Sequence, residues 1–425
     1  MSYWYVDENT MAEIQAVRGT QDLLPEAQRR HRIVTDTALR IAETYGFQEI
    51  ATPVFEFTEV FSRPIGEATD IVSKEMYTFQ DRSGDSLSLR PEGTAAVARA
   101  VLSNGLTQST PLKFFYAGPM FRHERPQKGR YRQFHQIGVE LLGPSQPQAD
   151  AEVIALGAHI LEELGVLKAC VLELNTLGDS ASRTAYREAL VGYFTQHLAA
   201  LSEDSRDRLS RNPLRILDSK DAGDKEIVAG APSFETYLNE SSKAFFAAVR
   251  QRLDLLKIEY VLNPRLVRGL DYYSHTAFEF ITTSLGSQGT VLGGGRYDGL
   301  MAMMGGPEIP AIGWAGGIER LAMLLKEPAP LIRPIAVIPV GESAELEALS
   351  LTQTLRREGF LTDLGYSGNV TKRLKRANKD KARVALVLGD EELSRGVVVL
   401  RDLDAGSQAE ISRDGIIAAL KTILA

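Results

Sequence analysis

The sequence predicts an α+β protein: an antiparallel-sheet domain carrying a helical insertion, followed by a small α/β domain. Three observations predict it. Apolar runs on either side of a charged stretch, punctuated by Pro126 and Gly129, mark Phe121–Glu140 and its approach as an antiparallel hairpin. The stretch at about 178–258 is polar and helical in pattern and interrupts the strands. After Pro328, Pro330 and Pro334, strands and helices alternate to the end. These observations set an extension over 1–13, a main domain over 14–330 and a C-terminal domain over 331–425.

Composition narrows the function classes. The 425 residues are 44% hydrophobic and 24% charged, enough to build more than one core. The net charge of −7 excludes a globally basic nucleic-acid binder, so any RNA contact must use local patches. No apolar run approaches the roughly 18 residues a membrane span needs, and Met1–Glu8 lacks the pattern of a secretory signal. A cytoplasmic protein with no membrane association is expected. The single Cys170 excludes an internal disulfide, and the six histidines show no ligand spacing, so no protein-bound metal is expected.

In chain order, Ile33, Ala38, Ile41 and Tyr45 give a helix over Glu26–Tyr45, stopped by Gly46. Phe47–Glu56 reads as a strand interrupted by Pro53, which suits an edge or an interface. Pro91 and Gly93 make a turn before a helix over Ala95–Leu102. Glu92 and Thr94 at this junction serve either as helix-start charge and N-cap or as cleft-facing groups. The hairpin follows, with Arg122, Arg125, Lys128, Arg130 and Arg132 within eleven positions and Glu124 the one acid among them. Like charges at that density repel, and a polyanion between the strands accounts for them better than a solvated tip.

A helix is expected over Ala149–Leu164, then strands at Tyr260–Leu262 and Thr276–Thr282. Between those strands Arg268, Asp271, Tyr272 and Tyr273 cluster around Gly269, as core packing with a surface charge or as an aromatic pocket wall. Leu292–Gly299 (Leu-Gly-Gly-Gly-Arg-Tyr-Asp-Gly) reads as a glycine-rich turn before a helix, without the spacing of a phosphate loop or a dinucleotide fingerprint. Pro310–Leu325 reads strand, glycine turn, helix, with Arg320 in the first helical turn.

In the last domain strands are expected at Ile335–Val340, Phe360–Leu364, Ala382–Leu388 and Gly396–Leu400. Helices are expected at Ser343–Glu358, Val370–Ala377 and Ser412–Leu424. Thr371–Arg383 holds seven basic residues and one acid, a solvated face or an RNA patch.

Taken together, these motifs resemble those of histidyl-tRNA synthetases, a family of class II aminoacyl-tRNA synthetases. Phe47–Phe61 with Pro53 is similar to the dimer-forming first class motif, Phe121–Gly138 to the second, and Ala311–Leu324 with Arg320 to the third. Arg268–Tyr273 and Gly293–Gly299 are similar to two histidine-specific signatures. The resemblance runs from about Ile14 to the C-terminus, and five motifs in order make it specific.

The resemblance implies the class II antiparallel-sheet catalytic domain, a C-terminal anticodon-binding domain and a homodimer. It implies two reactions: histidine and ATP form histidyl-adenylate, and the histidyl group then passes to tRNA(His). Mg²⁺ is implied with the ATP phosphates rather than in a protein cage. Arg122 and Arg268 are the implied catalytic residues, Arg122 bridging the carboxylate and α-phosphate. Arg320 is implied at the γ-phosphate, Arg130 as a further phosphate contact, Glu124 at the adenosine and Phe134 against the adenine. Glu140, Tyr272 and Tyr273 are implied around the histidine ring, and Glu92, Gly93, Thr94 and Gln136 around its amino and carboxylate groups. Arg125, Gln127 and Lys128 are candidates for the tRNA acceptor end, and Lys372, Arg373, Lys375 and Arg376 for the anticodon side.

A non-catalytic paralogue of the family, the regulatory subunit of ATP phosphoribosyltransferase, is the alternative. It lacks the C-terminal domain and parts of the catalytic set, whereas this chain has that domain and keeps Arg122, Arg268 and Arg320.

Overall fold

The computed structural model describes residues 14–424 apart from 67–68, 268–269, 271, 287–288 and 328–329. It divides into two units, 1–327 and 328–425. The first unit contributes strands β1 (Gln48–Glu49), β2 (Phe55–Phe57), β3 (Thr78–Gln80), β4 (Ser86–Leu89), β5 (Leu112–Phe121) and β6 (Gln133–Leu142). It continues with β7 (Val171–Thr176), β8 (Val261–Leu262), β9 (Ser274–Ile281), β10 (Thr290–Arg296) and β11 (Ala311–Gly317). Among the described residues eight of these form one sheet in the order β1-β5-β6-β11-β10-β9-β7-β8, and β2-β4-β3 form a second, small antiparallel sheet. The inner pairs of the large sheet are antiparallel, while β1 with β5 and β7 with β8, at its two ends, are parallel.

The hairpin is the long β5–β6 pair, in register from Leu112 opposite Leu142 to Phe121 opposite Gln133. Successive strand residues point to opposite faces, and that alternation decides what β6 does. Ile137, Val139 and Leu141 enter a core with Trp314, Phe278 and Phe280, covered by helices Pro25–Thr44 and Pro147–Glu163. Trp314 donates its ring N–H to Val153 O at 3.0 Å inside that core. Gln136, Gly138 and Glu140 therefore face the other side, where helix Thr94–Ser103 packs and Tyr272, Tyr273 and Tyr297 gather.

Three local expectations need correction. Phe47–Glu56 is not one strand: β1 joins the edge of the large sheet and β2 the edge of the small one, with Pro53 between them. Proline has no N–H to give a ladder, so the chain changes sheets there. The glycine run is not a turn but strand β10, paired on both sides. Its glycines allow close backbone approach: a Cβ on Gly294 would overlap Gly313 O and Trp314, and one on Gly295 would overlap Thr276 O. Finally, helix Glu240–Leu255 lies within the stretch read as an insertion, yet its Val249 and Leu253 belong to the main core. The rest of that stretch has its own core around Tyr186, Leu190, Phe194 and Ile216.

The second unit has strands β12 (Ile335–Val340), β13 (Thr362–Leu364), β14 (Val384–Gly389), β15 (Val397–Asp402) and β16 (Gln408–Ser412), ordered β13-β12-β14-β15-β16. Helices Glu342–Arg357, Val370–Lys379 and Ile416–Leu424 accompany it. The first three sheet members are parallel and the last two antiparallel. Strand β16 takes residues that the sequence gave no element, together with Ser412, expected to open the last helix; it is a mostly exposed edge without alternating apolar residues.

Arg296, in the glycine-rich strand, is fully buried and pairs with fully buried Asp150, while also donating to Pro144 O at 3.1 Å and Asp298 Oδ1 at 3.0 Å. Removing one member of such a pair strands the other charge away from water. Arg296→Met is expected to destabilise the protein by about 3–5 kcal/mol in urea unfolding. Adding Asp150→Asn to Arg296→Met is expected to recover part of that loss.

Candidate active site

On the Gln136 and Glu140 side of the sheet lies a cleft of about 340 Å³. Its two ends differ in chemistry. One end is aromatic and acidic. The Tyr272 and Tyr273 rings lie 4.8 Å apart between centres, tilted by 41°, and Tyr297 meets Tyr272 edge-on at 5.6 Å. Beneath them Glu140 is buried. Thr94 Oγ1 donates to Glu140 Oε1 at 2.7 Å, and the Tyr297 hydroxyl donates to Oε2. Burial pushes the Glu140 carboxyl up to about 8, against the pull of those two hydroxyls, and neighbouring Glu92 adds to the rise.

The backbone makes room for this carboxylate. A Cβ on Gly313, the residue opposite Glu140 on β11, would overlap Glu140 Oε2. Gly93 and Gly138 both press against the Tyr116 ring, where a Cβ on either would overlap it. Gly93 therefore has a packing reason to be glycine.

Glu92 and Thr94 sit at the start of helix Thr94–Ser103. The buried Glu92 carboxylate accepts the backbone N–H groups of Thr94 at 2.7 Å and Ala95 at 2.8 Å. Burial raises its pKa, opposed first by those N–H groups and then by Arg122. Glu92 thus satisfies the helix start, which releases the Thr94 hydroxyl to orient Glu140. Glu92, Thr94 and Arg122 line the cleft, so the cleft-facing reading of the junction holds; Thr94 is not the N-cap, which is Gly93, and its hydroxyl goes to Glu140 while Glu92 serves the helix start. Gln136 Oε1 is buried there without a hydrogen-bond partner among the described residues.

The other end is basic. Arg122 donates from Nε to Pro91 O at 2.9 Å, and its guanidinium lies 5.3 Å from the centre of the Phe134 ring. Buried Glu124 lies between Arg122, 3.8 Å away, and Arg130, with which it is paired directly. Arg320 donates to Gly129 O at 3.1 Å and Thr290 O at 2.6 Å. Burial first, then Arg130 and Arg122, push the Arg320 guanidinium below its ordinary value. Arg122, Arg130 and Arg320 thus line the same end of the cleft, with Glu124 and Glu279 as acids among them.

Arg125, Gln127 and Lys128 are exposed at the hairpin tip. Arg268 lies outside the described residues, although its neighbours Tyr272 and Tyr273 line the cleft. In the second unit Lys372, Lys375 and Arg376 are exposed on helix Val370–Lys379. Arg373 differs from them: it is 9% exposed, bonds to Pro339 O and pairs with Glu345 at 3.6 Å. It holds the helix to its own domain, so it no longer belongs with the exposed candidates.

Two features went unseen in the sequence. Tyr297 lies in the quoted glycine-rich stretch but was not singled out, because its alignment with Glu140 depends on β10, β11 and β6 lying side by side. His31, His135 and Glu319 lie far apart in sequence, yet their donor atoms fall within 4.8 Å of one another. Glu319 is already engaged there by the His135 backbone and ring.

The family of this chain follows from the same stretches. Residues 19–321 match the family model for histidyl-tRNA synthetase. The chain belongs to the histidyl-tRNA synthetase family. Residues 334–423 match the model for the anticodon binding domain. The histidine–tRNA ligase of Rhodospirillum rubrum is 58% identical over 98% of this chain and 99% of its own length. That of Gluconacetobacter diazotrophicus is also 58% identical, over 96% and 98%. The apo histidyl-tRNA synthetase of S. aureus superposes with a TM-score of 0.81 at 35% identity, over 96% of this chain and all of that one. These synthetase relatives, matched through the C-terminal domain, favour the synthetase reading over the regulatory paralogue.

Glu140 makes the site pH-sensitive in a definite direction. Its ordinary value is 4.5 and its folded value about 8. Its contribution to stability is full below 4.5 and is lost as pH rises through about 8. Ligand-free Glu140→Gln should therefore gain thermal stability relative to the natural protein as pH is raised from about 6 to 9. A melting-temperature difference that stays constant over that range would show that the carboxyl ionises normally.

Proposed function

We propose that this chain is a histidine–tRNA ligase that activates L-histidine with ATP and transfers it to the 3′ end of tRNA(His). The observation that carries the reading is a single cleft lined by Glu92, Gln136, Tyr272 and Tyr273 at one end and by Arg122, Arg130 and Arg320 at the other, with buried Glu140 directly behind Thr94. Histidine carries an imidazole, an ammonium and a carboxylate, and each finds a matching group. Glu140, steadied by Thr94 and Tyr297, accepts an imidazole N–H, with Tyr272 and Tyr273 flanking the ring. Gln136 Oε1 and Glu92 receive the ammonium. An analogue lacking the ring N–H leaves the position meant for it on Glu140 unfilled, and such a mismatch is worth about 10⁴-fold in discrimination.

The carboxylate of histidine then meets the α-phosphate of ATP. Its oxygen bonds to the α-phosphorus as the bond to the β-phosphate oxygen breaks, giving histidyl-adenylate and pyrophosphate. An anion attacks a polyanion, so catalysis here is positioning and fixed positive charge. Arg122 bridges the two reacting groups, Arg320 and Arg130 hold the outgoing phosphates, Glu124 takes the adenosine and Phe134 supports the adenine. Arg268, assigned by its motif, reaches the reacting centre from the histidine side. Arginine suits these roles because it stays ionised and grips two oxygens at once. In the second step a terminal ribose hydroxyl of the tRNA attacks the adenylate carbonyl and AMP leaves.

Mg²⁺ belongs to this scheme as a companion of the ATP phosphates. The Glu279 carboxylate on the cleft wall near Arg320 would fit a cation held mainly by phosphate oxygens, which would neutralise charge on them.

Arg125, Gln127 and Lys128 meet the acceptor end, and Lys372, Lys375 and Arg376 the anticodon side. The homodimer is supported by the small sheet, where Phe57 and Phe79 flank Leu87 and Phe55 lies two residues away on the same face. The three phenylalanines are 54%, 53% and 45% exposed in the order Phe55, Phe57, Phe79, an apolar row suited to a second copy. No helix among the described residues is long and apolar enough to cross a membrane, and the role proposed here belongs to the cytoplasm.

Histidine-dependent exchange of pyrophosphate into ATP without tRNA tests the reading. Exchange is expected with histidine and not with phenylalanine; its absence in folded protein would overturn the enzyme assignment.

A further inference from the structure

Strand β11 pairs with β6 only as far as Gly317, opposite Gln136. Beyond that point β6 runs on through His135 and Phe134 beside β5, while β11 gives way to helix Ile318–Leu324. The His135 N–H on that side therefore has no strand carbonyl to meet. The Glu319 carboxylate takes the place of the missing strand. Its two oxygens accept the His135 N–H at 2.9 and 3.0 Å, and His135 Nδ1 lies 2.9 Å from Oε1. Glu319 is 6% exposed, and His31 closes the far side with its ring 5.4 Å from that of His135.

The next residue is Arg320. Its position is set by two carbonyls, Gly129 O in the hairpin loop and Thr290 O at the start of β10. Those contacts can hold the guanidinium in place only if the helix start is itself fixed against β6. A carboxylate is a costly buried anchor compared with a neutral acceptor. It offers what one carbonyl cannot: two oxygens for a backbone and a ring donor on the same residue.

We propose that Glu319 is a positioning residue for ATP activation, locking Arg320 to strand β6 and so to Phe134 and Gln136. The proposal rests on the reading of Arg320 as a phosphate contact. Glu319 borders the cleft, but both its oxygens already accept from His135, so it acts through Arg320.

The test is pyrophosphate exchange by full-length Glu319→Gln at saturating histidine. KM for ATP should rise about tenfold or more while KM for histidine changes less than about threefold, because Glu140 is held by Thr94 and Tyr297 rather than by Glu319, and Tyr272 stands on another segment. Melting temperature checks folding. In combination with Arg320→Ala, the double variant should fall well short of the product of the two single effects. His135→Phe, which keeps the backbone contact and loses the ring donor, should raise KM for ATP less than Glu319→Gln does. Should Glu319→Gln fail to fold, Glu319→Asp, with its charge kept and its oxygens drawn back, carries the same test. An unchanged KM for ATP in a folded variant, or effects of Glu319→Gln and Arg320→Ala that multiply, would overturn the proposal. Loss of exchange in the natural protein would instead overturn the proposed function, so the two failures are distinguishable.

Discussion

A carboxylate withdrawn from water costs several kcal/mol unless its surroundings compensate, and Glu140 is withdrawn almost completely. Much of the first unit serves that one group. Thr94 and Tyr297 each give it a hydroxyl, and they come from a helix start and from the residue just past β10. Gly313 gives it volume from the neighbouring strand. Glu92, by taking the helix N–H groups onto itself, leaves the Thr94 hydroxyl to Glu140. The remaining strain shows as a carboxyl that holds its proton up to about 8.

The second constraint is that opposite charges must share one cleft without neutralising each other's purpose. Strand alternation solves this on β6. Even-numbered positions from Phe134 to Glu140 carry the groups assigned to adenine, ammonium and imidazole. Odd positions Ile137, Val139 and Leu141 anchor the strand in the core, and His135 meets Glu319. Arg122 and Arg320 are held through backbone carbonyls of Pro91, Gly129 and Thr290, whereas Arg130 pairs directly with Glu124. Carbonyls fix direction without cancelling charge, so those two guanidinium groups still face the cleft as cations.

Much of this was legible before the fold was known. The density of like charge around Arg122–Arg132 pointed to a polyanion, and Pro53 pointed to a break in a ladder. What failed was local reading of residues whose partners are remote. The glycines of β10 looked like a turn because glycine usually signals one, yet here they let three strands and Trp314 approach closely. Arg373 looked like its basic neighbours, and only the fold shows it bonded to Pro339 O. Tyr297 and Glu319 are two further cases, since each matters through a residue more than 150 positions away. Strand β16 escaped because an exposed edge has no apolar alternation to read.

The central claim is that Glu140 is the group for which the pocket is built and by which histidine is chosen. Calorimetric titration of L-histidine into the natural protein and into Glu140→Gln, without ATP, addresses it directly. The account predicts that the variant binds roughly 10- to 100-fold more weakly, the worth of a hydrogen bond to a charged or proton-holding carboxyl. Equal affinity in the two proteins would contradict it.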